Sequence, residues 1–151
     1  MKTSPLRCVV FFALISISLT ANSQDFEKLA ADKVDKTRVE IAEKFSNNFY
    51  SALAKGNHYE FKDEVTDALK NALTPESQKT IYEQIKGEHG DYESVAYAEM
   101  WVLKSNPVIK VVRFYGTFSR QKKQIEVRVV LDKADKIAGF FIKPWSDVLN
   151  P

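Results

Sequence analysis

Apolar and polar residues alternate through residues 92–143, which read YESVAYAEMWVLKSNPVIKVVRFYGTFSRQKKQIEVRVVLDKADKIAGFFIK. A period of two in segments rich in β-branched and aromatic residues predicts strands that place one face on a core. Short polar links divide this stretch into four runs: Tyr92–Lys104, Val108–Ser119, Gln124–Asp132 and Ile137–Lys143. Links this short join antiparallel neighbours. The sequence therefore predicts a four-stranded antiparallel sheet.

Before this sheet the apolar residues recur every three or four positions, which is the period of a helix. The first helical stretch runs from Asp25 to Lys55 and is closed by Gly56 as its C-cap, and the second covers Tyr59–Leu73. The third starts at Thr74-Pro75, where threonine is a good N-cap and proline suits the first helical position. Helices first and strands afterwards predict an α+β domain, with three N-terminal helices packed on one face of a curved sheet.

Residues 1–23 have the pattern of a secretory signal peptide. Lys2 and Arg7 form the positive region, Cys8–Leu19 the apolar region, and Ala21-Asn22-Ser23 a small-residue cleavage site. Twelve apolar residues make about 18 Å of helix, which is too short for a hydrocarbon core of roughly 30 Å. We therefore expect cleavage near Ser23, export to the periplasm or the outside of the cell, and a single mature domain over residues 24–151.

Removal of the signal leaves a neutral chain without cysteine. The full sequence has 22 basic and 20 acidic residues, and the signal takes two basic residues and Cys8 with it. Nucleic-acid binding normally needs a basic excess, so we expect no nucleic-acid partner. Without thiolates, disulfides and thiolate metal sites are excluded from the mature chain. We expect no cofactor, no metal site and no membrane span after cleavage.

Three segments carry a family resemblance: Phe49–Asn57, Leu73–Glu76 and Asp132–Pro144. Together with the order of helices and strands, they resemble the nuclear transport factor 2-like (cystatin-like) superfamily. Within it the chain is most similar to a bacterial domain family of unknown function that occurs in secreted proteins. The resemblance implies a cone-like fold, which in this superfamily serves enzymes, ligand binders and dimerisation modules.

Alternation also predicts which residues face the helices. A last turn centred between Ala134 and Asp135 places Val127, Val129 and Leu131 opposite Ile142, Phe140 and Ala138. The same parity adds two further sets to this face, one from each earlier strand: Val112, Phe114, Gly116 and Phe118, and Ser94, Ala96, Ala98, Met100 and Val102. The small residues Ser94, Ala96, Ala98 and Gly116 either floor a pocket inside the cone or let a helix approach the sheet closely.

The opposite face then carries an unusual number of large side chains: Tyr97, Glu99, Trp101, Leu103, Val111, Arg113, Tyr115, Arg128, Val130 and Phe141. In this register Glu99 lies across from Arg113 as a cross-strand charge pair. A contiguous apolar patch usually marks an interaction surface, so one hypothesis is a two-fold homodimer through this face. The other is that the sheet curls and the N-terminal helix covers the aromatic residues.

No catalytic residue can be assigned from the sequence. Serine-nucleophile, P-loop, dinucleotide and zinc-protease motifs are absent. His58 and His89 lie beside glycines, where we expect exposed loops, and the predicted core contains no Asp, Glu or His. We therefore predict a non-catalytic binding or dimerisation module, with a small apolar ligand as one partner. The alternative is a small-molecule enzyme of the isomerase, dehydratase or hydrolase type, which a buried carboxylate or imidazole in an open hollow would favour.

Overall fold

The computed structural model describes residues 25–104 and 109–149. The signal segment and the link at Ser105–Pro107 lie outside these residues, so the predictions made for them stay predictions. The elements follow in chain order: β1 (Phe26–Lys28), α1 (Lys36–Ala54), α2 (Asp67–Ala72), α3 (Pro75–His89), β2 (Tyr92–Leu103), β3 (Lys110–Phe118), β4 (Ile125–Leu131) and β5 (Ile137–Pro144). The predicted α+β class is confirmed.

The sheet is open and antiparallel, with five strands in the order β1-β2-β3-β4-β5. The prediction of four strands was wrong, because β1 pairs Phe26 with Leu103 and Lys28 with Trp101. A single 3-10 turn at Ala31–Lys33 follows, in place of the expected helix. Phe26 and Val34 have helical spacing, yet they contact different clusters, Phe26 on one sheet face and Val34 on the helical side.

The helices begin and end where local chemistry favours it. Asp35 caps α1 by accepting a hydrogen bond from the Thr37 amide at 3.0 Å. Gly56 follows α1 with φ of 78°, a left-handed conformation that glycine adopts without steric cost. Thr74 caps α3 as predicted, and Pro75 is its first residue. The apolar face of α1 is buried in the main core through Phe45, Phe49 and Leu53, among others.

The second predicted helix is formed only in its second half, and the residues before it have no regular helix or strand. Only Asp67–Ala72 is helical, because the preceding segment is held elsewhere by backbone bonds. Val65 forms an isolated parallel bridge with Ile137, and the Thr66 amide donates to the Ile137 carbonyl at 3.0 Å. The apolar side chains that suggested a helix therefore fill the core from a segment that borders the sheet.

The register of the last three strands follows the prediction closely. Phe114 pairs with Val127, and Val129 pairs with Phe140, all on the face that α1, α2 and α3 cover. A register shift next to Leu131 pairs it with Ile137 rather than with Ala138. The predicted core face of β3, β4 and β5 is otherwise confirmed.

Strand β2 departs from the prediction because it has two irregularities, at Glu93 and at Ala98. One extra residue in a strand inverts the parity of everything beyond it. Met100 lies opposite Val112 on the helical side, as predicted. Ser94 and Ala96 pair with Thr117 and Tyr115 and are exposed on the other side, so their placement on the core face was wrong.

The face of the sheet away from the helices, which we call the outer face, is covered by the chain itself. A second apolar cluster forms there from Phe26, Leu103, Ile109, Val111, Val130 and Leu149, with Trp101 and Phe141 packed against it. Leu149 is only 1% exposed. The edge strand β1 adds Phe26 to this cluster, and the cover over the face comes from residues 145–149, which we call the C-terminal segment. The predicted cover by an N-terminal helix was wrong, because α1 packs on the opposite face of the sheet, and the homodimer predicted for this face stays a prediction.

Candidate functional site

A buried network of charged side chains lies beneath the C-terminal segment. Arg113 and Glu126 are both fully buried. The Arg113 guanidinium donates from Nε to Glu126 Oε1 at 2.9 Å and from Nη2 to Glu126 Oε2 at 2.7 Å. Its Nη1 donates to Glu99, which confirms the predicted cross-strand pair. A two-pronged contact of this kind is the strong form of an arginine–carboxylate bond.

Glu99 is the residue through which the network reaches the surface. Its Oε1 accepts hydrogen bonds from Arg113 and from Trp101 Nε1, the latter at 2.8 Å. Its Oε2 lies 2.5 Å from Lys28 Nζ, and the Lys28 side chain is 57% exposed. Burial raises the pKa of Glu99, but the bonds from Lys28 and Trp101 and the charge of Arg113 outweigh burial and hold the pKa below its usual range. Glu99 is therefore an ionised acceptor.

Glu126 is held in the same way from the other side. Arg128 Nε donates to Glu126 Oε1 at 2.6 Å. Burial raises the pKa of Glu126, and the two arginines together lower it further than burial raises it. Both carboxylates and both guanidiniums are thus charged, so the four side chains form a neutral group: Glu99, Glu126, Arg113 and Arg128.

The C-terminal segment closes this network. The Trp145 ring lies 4.1 Å from the Arg113 guanidinium carbon, and it contacts the Tyr115 ring with centroids 4.4 Å apart. The Ser146 carbonyl accepts a bond of 2.6 Å from Arg113 Nη2. A cation over an indole face, together with a backbone acceptor, stabilises a guanidinium that has lost its water. Trp145 and Ser146 therefore cover Arg113 on the outer face.

A groove of about 430 Å³ lies on the other side of Glu99, where the chain leaves β1. Its lining is mostly apolar and comes from the segment after β1, the start of α1 and the bulged part of β2: Lys28, Leu29, Ala31, Val34, Lys36, Val39, Glu40, Tyr97, Ala98 and Glu99. The bulge at Ala98 and the turn at Ala31–Lys33 together create the space. Volumes of this order are typical of small-molecule sites.

The predicted pocket floor is not brought together. Only Ala98 lines the groove, while Ser94 and Ala96 are exposed on the outer side. Gly116 is in the core, where an added Cβ would lie 2.9 Å from Phe118 Cε2 and Val127 Cγ2. Close packing, the structural alternative, is therefore the role of Gly116.

The predicted interface residues do not form one continuous surface. Tyr97 and Glu99 line the groove, whereas Arg113 and Arg128 belong to the buried network. Trp101 and Phe141 are half-buried against the second apolar cluster. Tyr115 is still 39% exposed. The continuous aromatic surface that suggested a dimer is therefore much reduced.

Sequence reasoning missed Lys28, Glu126 and the C-terminal segment. Alternation places Glu126 on the same face as Arg113 and Arg128, which was an available signal for the network. No sequence signal indicated the position of Lys28, because its segment was assigned to a helix. Trp145 lies on the outer face, over Arg113.

The two histidines give no sign of catalysis. His58 is exposed and lies 3.8 Å from Glu60. His89 ends α3 rather than lying in a loop, and its side chain is 15% exposed against the Phe118 ring. Within residues 25–104 and 109–149, no three His, Cys, Asp or Glu side chains are grouped to hold a metal ion. The described helices include none with the length and apolar character needed to cross a membrane.

One sequence prediction is wrong at the groove. We expected no ionisable group in a hollow, yet the buried carboxylate of Glu99 lines one. Its lowered pKa and its three donors make it a poor proton acceptor, because a general base works best with a pKa near the working pH. The arrangement is better suited to orienting Lys28 than to moving a proton.

Comparison with known proteins gives one match. The family model described as a protein of unknown function (DUF3887) matches residues 46–140, from the second half of α1 to β5. No curated protein and no solved structure matches the chain. The matched range includes all four side chains of the buried network and the β2 side of the groove, but not Lys28 or the turn at Ala31–Lys33.

Proposed function

The chain belongs to the DUF3887 family of proteins of unknown function, and we propose that it is a non-catalytic module that binds a small apolar ligand in the groove beside β2. The observation that carries this proposal is the groove itself, an apolar hollow of about 430 Å³ between α1 and the Ala98 bulge. A strand bulge next to a cavity is a recurrent feature of binding sites. The neutral buried network supports one wall of the groove through Glu99.

Catalysis is the second candidate, and Glu99 is the observation that favours it. A carboxylate beside the Tyr97 hydroxyl could serve an isomerase, dehydratase or hydrolase as a base. Enzymes raise the pKa of such a glutamate to about 6 or 7, whereas here Arg113, Trp101 and Lys28 act in the opposite direction. The balance of these contacts supports binding.

We further propose that the module is exported and that its fold is of the nuclear transport factor 2-like kind. The signal-like residues 1–23 support export, and helices on one side of an antiparallel sheet support the fold. N-terminal sequencing of the protein recovered from outside the cytoplasm tests export, with a start close to Gln24 as the expected result. A mature chain that retains Met1 would contradict it.

The homodimer through the outer face remains a proposal with less support than the groove. Its remaining exposed aromatic residue on this face is Tyr115, since the C-terminal segment covers much of the rest. Sedimentation at tens of micromolar tests it, and a strict monomer would exclude the dimer.

A large side chain introduced into the groove tests whether the groove is the ligand site. Ala31 lines the groove and is exposed, whereas Ala54 is exposed at the end of α1 and lies outside the lining. We expect wild-type protein and Ala54→Trp to bind the neutral apolar fluorophore N-phenyl-1-naphthylamine. Ala31→Trp should bind it about tenfold more weakly, a loss of about 1.4 kcal/mol. Thermal unfolding checks that both variants fold, and equal binding by a folded Ala31→Trp would reject the groove as the site.

A further inference from the structure

We propose that the ligand of the groove is an amphipathic anion of about a dozen non-hydrogen atoms, with an apolar chain and one acidic headgroup that Lys28 and Tyr97 bind. This inference rests on the proposed function and adds the ligand's chemical class to it. It is carried by the charge balance around Glu99, by the donors at one end of the groove and by the volume of the groove.

Lys28 carries a positive charge in excess of those that balance the two carboxylates of the network. The two carboxylates of the network, Glu99 and Glu126, are matched by the two guanidiniums of Arg113 and Arg128. The negative charge beside Lys28 is thus already shared with Arg113. Lys28 contributes one positive charge that the network does not need for neutrality. The Lys28 ammonium is bonded to Glu99 but its side chain is 57% exposed, so an incoming anion can reach it from the solvent side.

The other charged lining residues do not reverse this sign. Lys36 and Glu40 both line the groove from the first turns of α1, and their charges cancel. The charged side chains that line the groove, Lys28, Lys36, Glu40 and Glu99, sum to zero, so the positive excess beside Lys28 comes from Arg113 behind Glu99. A cationic ligand would have to compete with Arg113 for Glu99, while a neutral ligand would leave Lys28 unused.

Tyr97 supplies a second donor at the same end. Its ring lines the groove and is 39% exposed, and it packs edge-on against Phe114 with centroids 6.3 Å apart. Burial and the nearby charge of Glu99 raise the pKa of Tyr97, so its hydroxyl keeps its proton. A phenol and an ammonium around one position suit a carboxylate headgroup, which accepts several hydrogen bonds.

The volume sets the length of the apolar part. If each non-hydrogen atom takes about 30 Å³, the share of a water molecule in the liquid, the groove has room for roughly a dozen such atoms. Leu29, Val34 and Val39 form its apolar side. A straight chain of about ten carbons with one carboxylate has this size.

The test compares two ligands that share a tail and differ in charge. Decanoate and decan-1-ol are titrated by calorimetry into wild-type protein, Lys28→Gln and Lys79→Gln. Lys79 is an exposed lysine on α3 whose partner is Glu83, so its variant controls for the loss of one positive charge. We expect decanoate to bind wild type and Lys79→Gln about tenfold more tightly than decan-1-ol, and this preference to shrink with added salt.

Lys28→Gln should lose the preference, with its affinity for decanoate falling to that for decan-1-ol. Equal binding of the two ligands by wild type, or a preference that survives in Lys28→Gln, would overturn the anionic class and leave the groove intact as a binding site. Failure of both ligands to bind wild type would instead count against the proposed function itself.

Discussion

Removal of the central guanidinium is the most demanding test of the buried network. Arg113 is fully buried and binds Glu99, Glu126 and the Ser146 carbonyl, so Arg113→Met leaves two carboxylates without their shared cation. Loss of one partner from a buried ion pair costs about 3–5 kcal/mol, which is a large part of the 5–15 kcal/mol available to a typical domain. Urea unfolding, followed by circular dichroism, measures the change.

The pH dependence separates a charge effect from a packing effect. The pKa values of Glu99 and Glu126 are lowered in the folded state, so their contribution to stability is present above the unfolded pKa and is lost as the pH falls through the folded pKa. Arg113→Met removes much of the cause of that lowering. The difference in unfolding free energy between wild type and the variant should therefore be largest near neutral pH and shrink as the pH is lowered.

Two further variants keep this prediction testable if Arg113→Met does not fold. The triple change of Arg113→Met, Glu99→Gln and Glu126→Gln removes the charges together and should recover part of the stability. Arg120→Met removes an exposed arginine and should cost less than about 1 kcal/mol. The reasoning is refuted if Arg113→Met costs under about 1 kcal/mol, or if its cost is the same near pH 7 and near pH 4.

Three other predictions concern single sites. The carboxyl carbon of Glu99, followed by ¹³C NMR, should titrate below the pKa of an ordinary glutamate, and a pKa of about 6 or more would favour an enzyme. Gly116→Ala should destabilise the fold by about 1–3 kcal/mol because its Cβ meets Phe118 and Val127. Gly87→Ala, which has open space around it in α3, should stabilise the fold by about 0.5–1 kcal/mol. Thermal unfolding measures both, and a change of stability in the same direction for the two variants would contradict this reasoning. Leu149→Ala should cost about 2–5 kcal/mol in urea unfolding, and a neutral result would mean that the C-terminal segment does not cover the outer face.

The sequence predicted the parts of the fold that depend on local signals. Thr74 and Pro75 determine the start of α3, and alternation correctly places Val127 and Phe140 on the helical side of the sheet. Alternation failed in β2, since the bulge at Ala98 has no signature in a strand of small and aromatic residues. One inserted residue there moved Ala96 to the opposite face and Tyr97 into the groove.

The candidate site was harder to predict because it depends on segments distant in sequence. Glu99 and Arg113 could be paired from the hairpin register, but their burial depends on Trp145 and Ser146 at the far end of the chain. The groove depends on Lys28 lying beside Glu99, which requires the short β1 strand. Strand β1 is only three residues long, which is too short for an alternating pattern to show in the sequence.

The most direct test of the groove is a methyl NMR titration of wild-type protein with N-phenyl-1-naphthylamine. The aromatic rings of this probe shift the resonances of methyl groups that they contact. We predict shifts for the methyl groups of Leu29, Val34 and Val39, which line the groove, and none for Val111 and Val130 beneath the outer face. Shifts confined to the outer face, or no shifts at all, would contradict a ligand site between α1 and β2.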